Sequence, residues 1–271
     1  MFPKVAWGSK YYTVPTKHME YNTFRITVDD LTTQVWVNDT AHTTPLTGLN
    51  SLNKFYEIYT NQPSIIESDK SISVTQFISS ESCGSNEFIG NNGQGDPEMI
   101  ILSPAAQAIN KVTVISTTIK NSNGPGVHYI NVIIPKSGIS SFKLDYELNP
   151  TQMVDTGSSS YIAGAYQGSA DALILIDSAF KPYTLDSSYY WARFKVNSGE
   201  SHALVSSVPF NAIAYGTAKG ESYGFNAGTQ VNDLTAALIL NNPYGDSLNS
   251  LNSSKPLTTC KGTEVALSAT F

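Results

Sequence analysis

Apolar and polar residues alternate over short runs along most of this chain, and Gly, Pro, Asn, Asp or Ser separates one run from the next. A period of two buries one side of an extended strand and wets the other, whereas a helix repeats every 3.6 residues. Phe24-Arg25-Ile26-Thr27-Val28 alternates, Asp29-Asp30 supplies a turn, and Gln34-Val35-Trp36-Val37 resumes the pattern. Further strands are predicted over 55–59, 71–78, 99–102, 111–118, 129–134, 141–146, 172–176, 191–196, 202–205, 211–215 and 235–240. The helical signal is short: Ser103 as a cap, Pro104 at the first position, then Ala105-Ala106-Gln107-Ala108, enough for one or two turns. The fold class is therefore all-β. It reads as two tandem β-sandwich-like modules, with a single β-propeller as the alternative, because many short, evenly spaced strands suit both.

The tandem reading rests on internal similarity. Tyr12-Thr13-Val14-Pro15, Phe24-Arg25-Ile26 and the stretch 66–77 recur in order as Val132-Ile133-Ile134-Pro135, Phe142-Lys143-Leu144 and the stretch 204–215. In each copy the last stretch reads as a strand, a small polar turn and a second strand. The expected organisation is a first module over 1–122, a second over 123–232, a linker-like Asn/Ser-rich segment over 233–256, and the start of a truncated immunoglobulin-like module over 257–271. Cys260 would belong to that last module and Cys83 to the first, so both thiols are expected free.

Composition removes several function classes. Sixteen Lys and Arg oppose 22 Asp and Glu, a net charge of −6, so there is no basic stripe to release counterions from nucleic acid. No apolar run approaches the roughly 20 residues of a spanning helix, and membrane insertion is not expected. Met1-Phe2-Pro3-Lys4-Val5 lacks the basic start and apolar body of a signal peptide. The surface-like composition, rich in Gly, Tyr, Ser, Thr and Asn, favours a chain that starts after a removed signal over a cytosolic one.

The motifs that could carry chemistry divide into two groups. Met153-Val154-Asp155-Thr156-Gly157-Ser158 has the form of an aspartic-protease signature, but that mechanism needs a second Asp-Thr/Ser-Gly from another lobe. Ile176-Asp177-Ser178-Ala179 lacks the Gly and lies too close in the chain, so the motif reads as turn chemistry. His18, His42, His128 and His202 have no second His or Cys at ligand spacing, and zinc is not expected. No catalytic residue is assigned. The loop containing Glu87, Asn91, Asn92, Asp96 and Glu98 is dense in hard oxygen groups. No cofactor is expected: the loop reads first as a Gly/Asn-rich excursion with Asp96 capping a turn, and calcium on Glu87, Asp96 and Glu98 is the alternative. Between Tyr215 and Gly228, glycines alternate with Tyr215, Tyr223, Phe225 and Asn226. That composition fits either a tight hairpin or a recognition loop, in which Asn91 and Asn92 would join as ligand contacts.

The order of several short motifs resembles one family. Ser68-Asp69-Lys70-Ser71, Gly95-Asp96-Pro97-Glu98-Met99, Ser103-Pro104-Ala105-Ala106-Gln107, Ser207-Val208-Pro209-Phe210 and Glu221-Ser222-Tyr223-Gly224-Phe225-Asn226 are similar to the N-terminal domain of IgGFc-binding proteins, over roughly residues 7–232. The resemblance implies a secreted or cell-surface region, bacterial in kind, that recognises a partner without catalysis. It does not by itself imply antibody binding. The expected function is a non-enzymatic adhesion or recognition module, monomeric within a longer chain, that binds glycan or extracellular protein. The competing class is a secreted carbohydrate-active enzyme, for which Asp155, Asp171, Asp177 and Asp186 are the carboxylates to follow.

Overall fold

The computed structural model describes residues 2–17, 19, 21–79, 95–118, 126–145, 152–156, 173–218 and 220–231, together with strand backbone at 237–241, 247–249 and 266–270. The chain divides into two compact units, residues 8–230 and residues 2–7 with 231–271. The Cys83 and Cys260 thiols lie outside the described residues.

In the larger unit the first sheet contains β1 (Gly8–Thr13), β2 (Asn22–Val28), β3 (Val35–Val37), β4 (Phe55–Thr60), β5 (Ser64–Ile78) and β6 (Glu98–Ile101). Its order is β1-β5-β2-β4, with β3 and β6 also paired to β5. The second sheet begins with β7 (Ile109–Ile115), β8 (Val127–Pro135) and β9 (Lys143–Leu144). A separate ribbon of β10 (Met153–Val154) and β11 (Ile174–Leu175) follows, with a single helical turn, α1 (Ile176–Ala179), after it. The second sheet then resumes with β12 (Lys181–Tyr183), β13 (Asp186–Val196), β14 (Ser201–Ala218) and β15 (Glu221–Asn226), in the order β12-β13-β8-β14-β15, with β7 and β9 on β14. In the smaller unit β16 (Ala237–Asn241) pairs antiparallel with β17 (Ser247–Asn249) and β18 (Ala266–Thr270).

All-β is what forms, as two open sheets of six and seven strands. No closed barrel or propeller occurs among the described residues, which corrects the propeller alternative. The reason lies in β5 and β14, of 15 and 18 residues, far longer than the strands of a propeller blade. The polar stretches read as turns inside the 66–77 and 204–215 segments are bends within these single strands. In β5, Ser68 to Lys70 carry the bend; the first half pairs with β1 and β3, the second with β2 and β6. In β14, the ladder to β7 slips between Val205 and Phe210, where Pro209 has no N–H to donate. The predicted helix at 105–108 shortens to a 3-10 turn at Ala105–Gln107, and Ser103 makes no capping bond.

Burial follows the alternation. In β2, Phe24, Ile26 and Val28 are buried, while Arg25 points outward and meets Glu57 across β4 at 2.6 Å. The middle of β8 is buried on both faces, as expected of a central strand. Its even-numbered residues Ile130, Val132 and Ile134 join Ala192, Phe194, Leu204, Phe210 and Phe142 in one core. Tyr129 on the other face, with Ile213 and Tyr215 of β14, joins Phe24, Ile26, Ile66, Val74 and Ile100 of the first sheet in a second core. Apolar contact thus fuses the two sheets.

Phe142 sits at the centre of the first core, with Phe180, Phe194 and Phe210 ring centroids at 5.4, 5.7 and 5.6 Å. Phe142→Ala is expected to cost about 3–5 kcal/mol, measured as a lower urea midpoint at unchanged m-value. Leu52→Ala, at a site 97% exposed, is expected to stay within about 0.5 kcal/mol of the parent.

Candidate functional site

The Tyr215 to Gly228 segment folds as a hairpin. β14 and β15 pair in register from Ile213↔Asn226 to Ala218↔Glu221, closed by Gly220 at φ 64°. Tyr215 is fully buried; its hydroxyl accepts from the Lys17 N–H (2.9 Å) and lies 3.4 Å from Asn131 Oδ1. Asn226 Nδ2 donates to the Ile101 carbonyl (2.9 Å) and Ser103 Oγ (2.8 Å), and its Oδ1 accepts from the Gly228 N–H (2.9 Å). Phe225 packs against the first core. Tyr223 is half-buried, with its hydroxyl 2.9 Å from His128 Nδ1. A Cβ on Gly216 would lie 2.5 Å from Tyr223 Cε1 and 2.7 Å from His128 Nδ1; only glycine lets the tyrosine ring cross the strand there.

The two segments singled out for ligand contact meet each other. The Gly95 N–H donates to the Ala218 carbonyl (2.7 Å), and the Asp96 backbone exchanges hydrogen bonds with Ser222 Oγ. Asp96 is exposed, and Glu98 opens β6 opposite Ile78. Glu87, Asn91 and Asn92 lie outside the described residues, so the calcium set is only partly in view. Among the described residues no three His, Cys, Asp or Glu side chains gather as a metal site.

Of the carboxylates followed for catalysis, Asp155 holds Lys195 at 3.3 Å. Asp186 receives the Tyr12 hydroxyl (2.5 Å) and Lys10 Nζ (3.3 Å). Burial raises the Asp186 carboxyl, but hydrogen bonds from Ser188, Tyr12 and Lys10 outweigh it and bring it down to about 2. Asp177 lies in α1 with Oδ1 buried and unpartnered, and Asp171 lies outside the described residues.

An arrangement absent from the motif reading is Ser116, His202 and Asp145. Ser116 Oγ lies 3.5 Å from His202 Nε2, and His202 Nδ1 lies 3.0 Å from Asp145 Oδ2. A nucleophilic serine must give its proton to the imidazole. Here the Ser116 hydroxyl faces the Asn197 and Glu200 carbonyls, accepts from the Glu200 N–H and is buried. The three residues clasp strand ends.

The open concavity lies elsewhere. A groove of about 470 Å³ runs between Asn38, Gln62, Pro63 and Ile65 of the first sheet's side and Lys181, Pro182, Tyr183, Thr184, Leu185 and Trp191 of the second's. This volume falls within the roughly 300–1,000 Å³ range of ligand sites. The register Lys181↔Trp191 sets one wall: cross-strand neighbours face the same side, and Lys181 Nζ lies 5.4 Å from the Trp191 ring centroid. The alternation of β13 turns Ala192 and Phe194 into the first core and leaves Tyr189, Trp191 and Arg193 on the opposite face. Asn38, at φ 54°, fixes the other wall by accepting from the Ile65 N–H (2.9 Å) and donating to Ser64 Oγ (3.2 Å). Nothing in the motif analysis pointed to this groove; the available signal was Arg193 two residues beyond Trp191 in an alternating strand.

A family model described as IgGFc binding protein matches residues 1–216. The chain belongs to the IgGFc-binding protein family. The groove lies wholly within the matched residues, whereas β15, with Tyr223, Phe225 and Asn226, lies beyond them. No curated protein and no solved structure matches the chain. Among the described residues no helix is long and apolar enough to cross a membrane.

His128 gives the hairpin a pH response. Burial, and then the charge of His202, hold its pKa below the ordinary value of 6.5, and its Nε2 is buried without a partner. The unfolded imidazole then binds protons that the folded one refuses, so this contribution is complete above pH 6.5 and is lost as the pH falls below it. Urea midpoints are expected to drop between pH 7.5 and 5, with a shallower drop in His128→Gln.

Proposed function

We propose that this chain is a non-enzymatic extracellular recognition module whose ligand, a glycan or protein, seats in the Trp191 groove. The observation that carries the reading is the groove itself: a concavity of ligand size within the family-matched residues, walled by an aromatic ring and a cation. Such walls recognise ligands by ring stacking and hydrogen bonding, and they need no reacting group. Family membership supports binding as the activity, and the family description makes the IgG Fc fragment one partner to be tried. Pairing of Asp155 and Asp186 with basic residues supports a structural use for those carboxylates. The extracellular setting rests on the family and on composition.

The test is an array of glycans, matrix proteins and Fc fragment probed with the labelled chain. Trp191→Ala is expected to weaken the leading interaction by about 2–4 kcal/mol, as loss of a central aromatic anchor does, with the far-ultraviolet circular dichroism spectrum unchanged. Binding that survives in Trp191→Ala at full strength places the site elsewhere, with the β14–β15 hairpin the next surface to vary. Hydrolysis of a glycan by the parent chain would return the enzyme reading.

A further inference from the structure

Adjoining the groove at Trp191 is a second depression of about 160 Å³, lined by Lys17, Thr156, Ile174, Ala179, Lys181, Trp191 and Arg193. Trp191 and Lys181 line both spaces, so one ligand can touch both. Arg193 and Lys181 both line this small recess in a chain of net charge −6. We propose that this recess is a carboxylate subsite, and that groove and recess together take a terminal acidic sugar of a glycan. The proposal rests on the groove being the binding site and adds the class of ligand.

Arg193 is the chief reason. The chain has two arginines. Arg25 spends its charge on Glu57 at 2.6 Å. Arg193 is held instead by neutral acceptors: Nε donates to Asn131 Oδ1 (3.1 Å) and Nη2 to the Pro15 carbonyl (2.5 Å). Neither Arg193 nor Lys181 has an ion-pair partner among the described residues. A guanidinium fixed in place, with its charge uncompensated and N–H groups to spare, is preorganised for a carboxylate. Lys181 is exposed at the rim, on the short edge strand β12, where it can add a second charge.

The groove favours a sugar over an acidic peptide. A pyranose presents an apolar face to an aromatic ring such as Trp191 and hydroxyls to polar groups, and Gln62 and Thr184 stand exposed along the groove. An extended peptide docks by adding a strand to a sheet edge. The nearest edge, β12, has three residues with Pro182 in the middle, which removes the N–H such pairing needs.

The experiment titrates the intact chain with a sialylated trisaccharide, with the same sugar lacking its sialic acid, and with an acidic hexapeptide, read by calorimetry or ligand-observed NMR. The sialylated sugar is expected to bind at least about tenfold more tightly than its neutral counterpart. Lys181→Glu, an exposed change, is expected to remove most of that preference. Arg193→Gln is expected to abolish it and Arg193→Lys to retain part, provided circular dichroism shows both folded; if either fails to fold, Lys181→Glu decides. Equal binding of acidic and neutral sugars, or a preference untouched in Lys181→Glu, overturns the carboxylate subsite. Binding of the hexapeptide in place of the sugar overturns it in favour of a protein partner. If a neutral glycan binds as tightly as the sialylated sugar, or Fc binds in place of either, and that binding depends on Trp191, the recognition reading stands while this inference falls. If no ligand on the array depends on Trp191, both fall.

Discussion

The backbone carbonyls of Val14 and Pro15 must find donors where the chain leaves β1 and crosses the inner face of the second sheet. Pro15 cannot donate to a ladder, so ordinary strand pairing cannot absorb this passage. Side chains do so instead: Asn131 Nδ2 reaches the Val14 and Pro15 carbonyls at 3.3 and 3.4 Å, Gln76 Nε2 reaches Val14 at 3.1 Å, and Arg193 caps Pro15. Tyr215 receives the Lys17 N–H one step further on. Unmet, each buried carbonyl would cost on the order of 1–3 kcal/mol. With them satisfied, the two sheets pack on one another around a shared core.

This clasp also orders the groove beside Trp191. Arg193 is drawn inward by Pro15 and Asn131, which fixes the strand that carries Trp191. Tyr12 stacks on Tyr189 at 4.1 Å and tilts against Tyr183 at 5.0 Å, while its hydroxyl ties Asp186 to the first sheet. The wall of the groove is therefore set by contacts made from β1, at the other end of the sequence from β12 and β13.

Local pattern was enough to place most strands. The inward residues of β2 and the doubly buried β8 follow from alternation and from an apolar run, because those signals depend only on which face is dry. The bends in β5 and β14 were not legible: three polar residues in a row look the same whether a strand ends or merely curves, and the partner strands decide. The hairpin of Tyr215 to Gly228 was legible as a hairpin or a loop, and cross-strand pairing selects the first. Trp191 was placed on a strand, but the groove depends on residues 38–65 standing opposite residues 181–191, a tertiary fact that spacing does not carry. The unusual partners of Arg193 are equally long-range.

The double pairing of β14 has a consequence for any fragment of this protein. Its first part zips to β7 and β9, and its last part lies between β8 and β15. The family match stops at residue 216, two residues short of the strand's end and before its outer neighbour begins. A fragment cut there would keep the groove but strip β15 from the sheet, leaving the N–H and C=O groups of alternate residues over 213–216 facing water while the others stay paired to β8. A second copy of the same fragment presents the matching row, so such a truncation would pair edge to edge and precipitate, where the uncut chain carries its own cover.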